Sequence, residues 1–312
     1  MGAMKDDSGP EPTATANLTL DALAALVERS TARLASIDDP SEADRREAWD
    51  ALDRVRHPDV LKQIDADGRE SVDAWADRIL ALVDASHLTA GPLFRMRAET
   101  YGSKTLFELP ARFGGRSLSW RQVASRVDAV ARGLLALDPV AGPGPVAILS
   151  ENRPEMAIAD LACLSSGVFV VMVPGNSTEA DVAYILKHAG VRTVLTSTPA
   201  QLRKVLACRD GCPDLRHVVV FDPPVDPPRG VQSLDQVVAR STTLDPATAR
   251  DAGLAARTDD PATVMYTSGT TGTPTGILFT HRNLVFKRFC RALAIPEIGE
   301  DDVFLSYLPL FH

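Results

Sequence analysis

Cysteine is scarce in this sequence and scattered, at Cys163, Cys208, Cys212 and Cys290. Such spacing gives no disulfide framework, and a reduced, cytoplasmic setting is its simplest account. Cys208 and Cys212 form Cys-x-x-x-Cys, yet no second pair or histidine at ligand spacing completes a zinc site, so no metal centre is expected there. Long apolar runs are missing as well. The longest, residues 168–174, is far too short to span a bilayer, and no charged segment with an apolar core opens the chain as a signal peptide would. Positive charge is in deficit: 33 Lys and Arg stand against 41 Asp and Glu, a net charge of −8. That balance argues against a nucleic-acid surface and against an anionic-membrane patch. Any affinity for phosphate must therefore be local.

What the chain does have is apolar bulk. With 45% hydrophobic residues among 312, it can bury a sizeable core as two domains or one large one. Residues 1–17, with Pro10 and Pro12 among small polar neighbours, read as a mobile tail, and Met1-Gly-Ala-Met4 has the form of an expression scar. Residues 18–97 read as a helical module. Leu20, Leu23, Ala24, Val27 and Leu34 are spaced to line one face of a first helix. A second opens at Ser41, with Asp44 at capping-box spacing, and carries Ala48, Trp49, Leu52 and Val55. A third starts near Ser71 and puts Val72, Trp75, Ile79, Leu82 and Val83 on one side. Aromatics at helical spacing belong to a core more often than to an interface, so Trp49 and Trp75 are expected inside. Docking of a protein partner through these helices is the other use of such a module.

From Leu118 the pattern changes to alternation of strand and helix. Residues 120–137 have the periodicity of a helix, 145–150 form a short apolar strand, and 152–165 form a helix with Asn152 as cap and Pro154 in its first turn. Residues 168–173 are apolar at every position, as in a strand covered on both faces. A helix capped by Ser177 or Thr178 runs to His188, and Gly190 stops it. Strands at 191–196 and 218–221 flank a helix over 199–208. The proline-rich stretch 222–230 reads as a stiff connector, succeeded by a short helix over 234–239 and a polar linker. The fold class expected is α/β: a largely parallel, layered sheet with helices on both faces, spanning residues 98–312, preceded by the helical module.

Within it, the strand 263–266 delivers Tyr266-Thr-Ser-Gly-Thr-Thr-Gly-Thr-Pro-Thr-Gly276, and a helix is expected from Thr280. Glycine leaves no Cβ in the way, so the amides at Gly269, Gly272 and Gly276 can close on an anion while Thr267, Ser268, Thr270, Thr271 and Thr273 offer hydroxyl donors. That is the chemistry of a phosphate cradle. It is not a Walker loop, since no Gly-Lys-Ser/Thr comes after it, and it is not a dinucleotide fingerprint. Ligands of open α/β sheets sit beyond the carboxyl ends of the strands, where this turn leaves its strand.

This stretch, together with Thr280-His-Arg-Asn-Leu284 and Leu308-Pro-Leu-Phe-His312, resembles the AMP-forming adenylate synthetases, the acyl-CoA ligase and luciferase superfamily. Val146-Ala-Ile-Leu-Ser-Glu-Asn-Arg-Pro-Glu155 and Ala159-Asp-Leu-Ala162 are most similar to its long-chain fatty acyl-CoA synthetase branch. The resemblance covers residues 98–312. It implies ATP, Mg2+ and coenzyme A as cofactors and a fatty acid as substrate. It places the β- and γ-phosphates on residues 267–276, and it places His312 beside the substrate carboxylate in the acyl pocket. No catalytic residue is assigned within the chain.

One position departs from the family pattern. Thr275 stands between Pro274 and Gly276, where the family usually has lysine. The family's acidic magnesium ligand, ribose-binding aspartate, hinge and catalytic lysine all lie downstream of His312. The expectation is therefore the N-terminal part of a longer ligase, inactive by itself. Two alternatives stay open: a ligase that hands the acyl group to a carrier-protein thiol, and a non-catalytic relative that binds a partner.

Overall fold

The structure, a computed structural model, describes residues 19–111, 114–267, 273–295 and 297–308. The chain forms two compact units, residues 1–87 with 286–302, and residues 88–285 with 303–312. None of the described helices is long and apolar enough to cross a membrane.

The first unit is built on α1 (Leu20–Leu34), α2 (Glu42–Val55), α3 (Pro58–Asp67) and α4 (Val72–Ala85). Each start is fixed by a side chain that satisfies a free helical N–H: Thr19 caps α1, Ser41 and Asp44 form a reciprocal box on α2, and Ser71 caps α4. Trp75 is fully buried, and its indole N–H donates to the Val55 carbonyl at 3.1 Å. Trp49 is buried too, edge-on to Phe289 at 6.5 Å. Both tryptophans are thus core. Helix α3 lies where only a link was expected. Its signals are local: Pro58 in the first turn, the His57 ring accepting from the Asp59 amide, and Gly68 closing the helix at φ 67°.

The second unit opens with α5 (Ala90–Tyr101), which packs on α6 (Trp120–Leu135) and α7 (Pro154–Ser165). A small antiparallel pair, β1 (Thr105–Glu108) and β2 (Ser117–Ser119), precedes α6. The main sheet comprises β3 (Val146–Ser150), β4 (Val170–Pro174), β5 (Thr193–Thr196), β6 (His217–Val220), β7 (Val231–Ser233), β8 (Pro261–Thr267) and β9 (Thr275–Thr280). Its order is β7-β6-β5-β3-β4-β8-β9, with every neighbouring pair parallel except β8 and β9. Strand β3 is buried at all positions because both faces are covered. Val146 and Ile148 join a core with α6 and α7, whereas Ala147 and Leu149 join another with α8 (Glu179–His188) and α9 (Pro199–Cys208).

Several segments differ from the sequence expectation. The polar linker contains α11 (Thr248–Ala255), after α10 (Leu234–Ala239). Helix α11 packs through small residues: a Cβ on Gly253 would stand 1.9 Å from the Ser165 carbonyl oxygen, so only glycine permits this approach. Strand β7 comes directly after the proline-rich connector and pairs with β6. Residues 302–312 read in the sequence as a strand-like apolar run; of these, 302–308 form no strand, and Val303, Phe304 and Leu305 are 85%, 70% and 78% exposed. With no ladder to take their backbone groups, their apolar pattern has no face to bury. Strand β9 replaces the direct passage from turn to α12 (His281–Ala294).

Candidate functional site

The carboxyl ends of the parallel strands lie together at one edge of the sheet, and the segments leaving the strands there make one closed part and one open part. At the junction of β3, β4 and β5 the chain closes the edge with its own side chains. Glu151 accepts hydrogen bonds from the Ser197 hydroxyl and, at 2.6 Å, from Gln201 Nε2, which also donates to the Gly175 carbonyl at 2.8 Å. Lys204 Nζ spends its charge on the carbonyls of Ser177 (2.7 Å) and Gly175 (3.3 Å). Burial pushes the Glu151 carboxyl up, but the bonds from Ser197 and Gln201 outweigh it and hold the carboxyl below its usual range.

Beside this plug, Arg153 grips Asp222 with two bonds of 2.6 and 3.1 Å and Glu155 with one of 2.8 Å. The Asp222 carboxylate, ahead of Glu155, raises the Arg153 pKa. Arg153 also occupies the cap position of α7, which has no side-chain cap bond. Asn152, expected as that cap, instead donates from Nδ2 to the carbonyl of Leu308 at 2.6 Å and of Ser306 at 3.5 Å. Pro154 at the first helical position removes one of the N–H groups that the helix start would otherwise leave without a partner.

The open part belongs to β8. It runs parallel to β4, with Val170, Val171 and Met172 opposite Thr263, Val264 and Met265, and so delivers Thr267 to the same edge. The chain returns as β9, antiparallel to β8, with Thr275 opposite Thr267 and Gly276 opposite Tyr266. The chain after the glycine-rich stretch is therefore a strand paired with β8, and not the direct start of a helix. The Thr267 hydroxyl donates to the Thr275 carbonyl at 3.5 Å, at the limit of hydrogen bonding. Thr273 and Thr275 are exposed.

Tyr266 anchors the base of the hairpin. It is 3% exposed, its hydroxyl lies 2.7 Å from His188 Nδ1, and the His188 ring stacks on Tyr184 at 5.3 Å. Burial raises the Tyr266 pKa. A Cβ on Gly276 would come within 3.2 Å of the Tyr266 ring and 3.0 Å of Val264 Cγ2. Gly276 is thus accounted for by its fit over a tyrosine.

Of the residues that the sequence points to, Thr267, Thr273, Thr275 and Gly276 are brought together on the hairpin. Ser268, Gly269, Thr270, Thr271, Gly272 and His312 lie outside the described residues. His188 and Gln201 carry no motif that marks them in advance, and Glu151 and Asn152 stand in the stretch 146–155 with no such contacts foreseen for them. Their roles come from partners 46 to 156 residues away.

The AMP-binding enzyme family matches residues 94–312. Long-chain-fatty-acid–CoA ligase 6 of Mus musculus is 32% identical over 206 residues, which are 62% of this chain and 29% of that protein. Long-chain-fatty-acid–CoA ligase FadD15 of Mycobacterium bovis is 34% identical over 194 residues, 61% of this chain and 31% of that protein. The chain thus spans about three tenths of the length of these curated relatives. Among solved structures, a red-emitting luciferase from Phrixothrix hirtus superposes with a TM-score of 0.55 at 22% identity, over 69% of this chain and 40% of that one. The anthranilate CoA ligase AuaEII, solved with anthranoyl-AMP, does so with a TM-score of 0.53 at 23% identity, over 63% of this chain and 35% of that one. At these identities the structures establish a shared fold. With the family matched over most of its length, the chain belongs to the AMP-binding enzymes.

Proposed function

We propose that this chain carries the triphosphate-holding part of an ATP-dependent enzyme that activates a fatty acid carboxylate as acyl-AMP, for later thioesterification to coenzyme A. The observation that supports it most is the pairing of β8 with β9, which sets Thr267 and Thr275, the two ends of the serine-, threonine- and glycine-rich stretch, opposite each other at the carboxyl edge. In the reaction, a carboxylate oxygen bonds to the α-phosphorus of ATP as the bond to the bridging oxygen breaks, and pyrophosphate leaves. Free carboxylate is a poor acyl donor, and the mixed anhydride is an activated one.

The work of this chain is to hold the leaving group in line and to offset its growing charge. Hydroxyls of Thr267, Ser268, Thr270, Thr271 and Thr273 donate to the β- and γ-phosphate oxygens, and Gly269 and Gly272 let the amides approach. Thr275 begins the return strand, and His312 lines the acyl pocket. The donor set is neutral hydroxyls and amides, which suits a polyanion. Mg2+, when bound, would neutralise phosphate charge. Among the described residues no three His, Cys, Asp or Glu side chains converge as ligands for it, so no step is assigned through it.

Titration calorimetry of the chain with ATP and with inorganic tripolyphosphate tests the central point. Both are expected to bind, and Thr270→Ala with Thr271→Ala should weaken both roughly tenfold. Absence of binding by the unaltered chain would remove the phosphate role.

A further inference from the structure

Helices α5, α6 and α11 leave between them a cleft of about 440 Å³, which Ser165 closes from the last turn of α7. That volume lies within the roughly 300–1,000 Å³ of small-molecule sites. None of the described strand residues lines the cleft, so it is separate from the carboxyl edge of the sheet. The space exists because short side chains meet there: Ala98 of α5, Ala124 and Ala131 of α6, and Ala249 of α11, beside Phe94. Ala124 and Ala131 stand two turns apart on one stripe of α6. The wall they make is apolar.

Polar groups gather at the α7 corner. Ser165 is 5% exposed, and its hydroxyl has no hydrogen-bond partner. Arg95 reaches the same corner and donates to the Ser165 carbonyl at 3.3 Å. Arg250 lines the cleft one turn ahead of Gly253, the residue that packs against that carbonyl. Arg121 adds a third positive charge from the start of α6, against the two acids Glu99 and Asp128. Asp128 is already held by Arg132, with bonds of 3.0 and 2.8 Å. The lining therefore favours an anion, and a buried hydroxyl without a partner is costly unless another polar atom reaches it.

We infer that this cleft binds a small amphipathic carboxylate, with its anionic end at Ser165, Arg95 and Arg250 and its hydrocarbon along the alanines. The Ser165 hydroxyl donates to a carboxylate oxygen, and the arginines supply charge-assisted bonds. This site stands apart from the phosphate function proposed above, so failure of either leaves the other intact.

The test is calorimetric titration of this chain with decanoate, decanol and acetate. Decanoate should bind, whereas decanol, which lacks the charge, and acetate, which lacks the chain, should bind roughly tenfold more weakly or less. Ala124→Leu fills the cleft and should remove one decanoate per chain from the stoichiometry. Arg250→Gln, at an exposed position, should weaken decanoate roughly tenfold. Ser165→Ala should weaken it similarly and yet raise the melting temperature of the ligand-free chain, because it removes a hydroxyl that nothing satisfies. A serine with a merely structural role would lower that temperature when replaced. Absence of decanoate binding, equal binding of decanol, or decanoate binding that Ala124→Leu and Arg250→Gln leave unchanged would overturn the inference, the last by placing the carboxylate elsewhere on the chain.

Discussion

Thr275 stands where the family resemblance leads one to expect lysine. It stands exposed at the first position of β9, opposite Thr267. A hydroxyl can replace one hydrogen bond of a lysine but not its charge, and charge-assisted bonds are about twice as strong as neutral ones. Thr275→Lys in the full-length enzyme should therefore speed pyrophosphate formation about tenfold, equivalent to about 1–2 kcal/mol. A fall in rate would show that the position does not face phosphate. Glu151 makes a different kind of prediction. Its carboxyl is held below the usual range in the folded chain, so its contribution to stability is complete above the unfolded value of about 4.3 and is lost as pH falls through the lower folded value. Glu151→Gln should lower the melting temperature at pH 7, and the gap from the unaltered chain should close as the solution is acidified below that value. A gap that stays constant down to acid pH would mean that Glu151 acts by shape alone.

Among the elements, α11 depends on a single close approach. Gly253→Ala would force a methyl group against the Ser165 carbonyl, and backbone cannot swing aside as a side chain can. The expected cost is about 1–3 kcal/mol, read as a lower denaturant midpoint at unchanged slope. An unchanged midpoint would mean that α11 shifts freely over α7. The same helix shows where sequence reading fails. Periodicity is seen through large apolar residues, and α11 buries Ala249 and Gly253 instead. The strands β3, β4, β5 and β6 and the helices α6, α8, α9 and α10 were legible because Val, Ile and Leu repeat at the right period between glycine and capping signals. The signals for α3 were equally explicit in Pro58 and Gly68, but its apolar residues Val60, Leu61 and Ile64 are few among polar neighbours. Strand β9 escapes because Gly276 and Thr275 read as turn residues, although Ile277, Leu278 and Phe279 come next. At the site, the glycine-rich turn was visible because its chemistry is concentrated in adjacent residues. The contact of His188 was not, and Asn152 was read as a helix cap, since nothing local distinguishes a side chain whose partner lies far along the chain.

For the whole molecule, the order β7-β6-β5-β3-β4-β8-β9 puts β9 last in the sheet of described residues, with one flank of its backbone unpaired. Ile277 is 47% exposed and Leu278 54%. A bare rim of this kind is a template on which any extended polypeptide can add itself as one more strand. Concentrated solutions of this chain should therefore self-associate, with light scattering that grows with concentration, and Leu278→Lys should suppress it; scattering indifferent to that substitution would place the sticky surface elsewhere. The strand that returns from the glycine-rich stretch is thus also the one most open to capture by a neighbouring molecule.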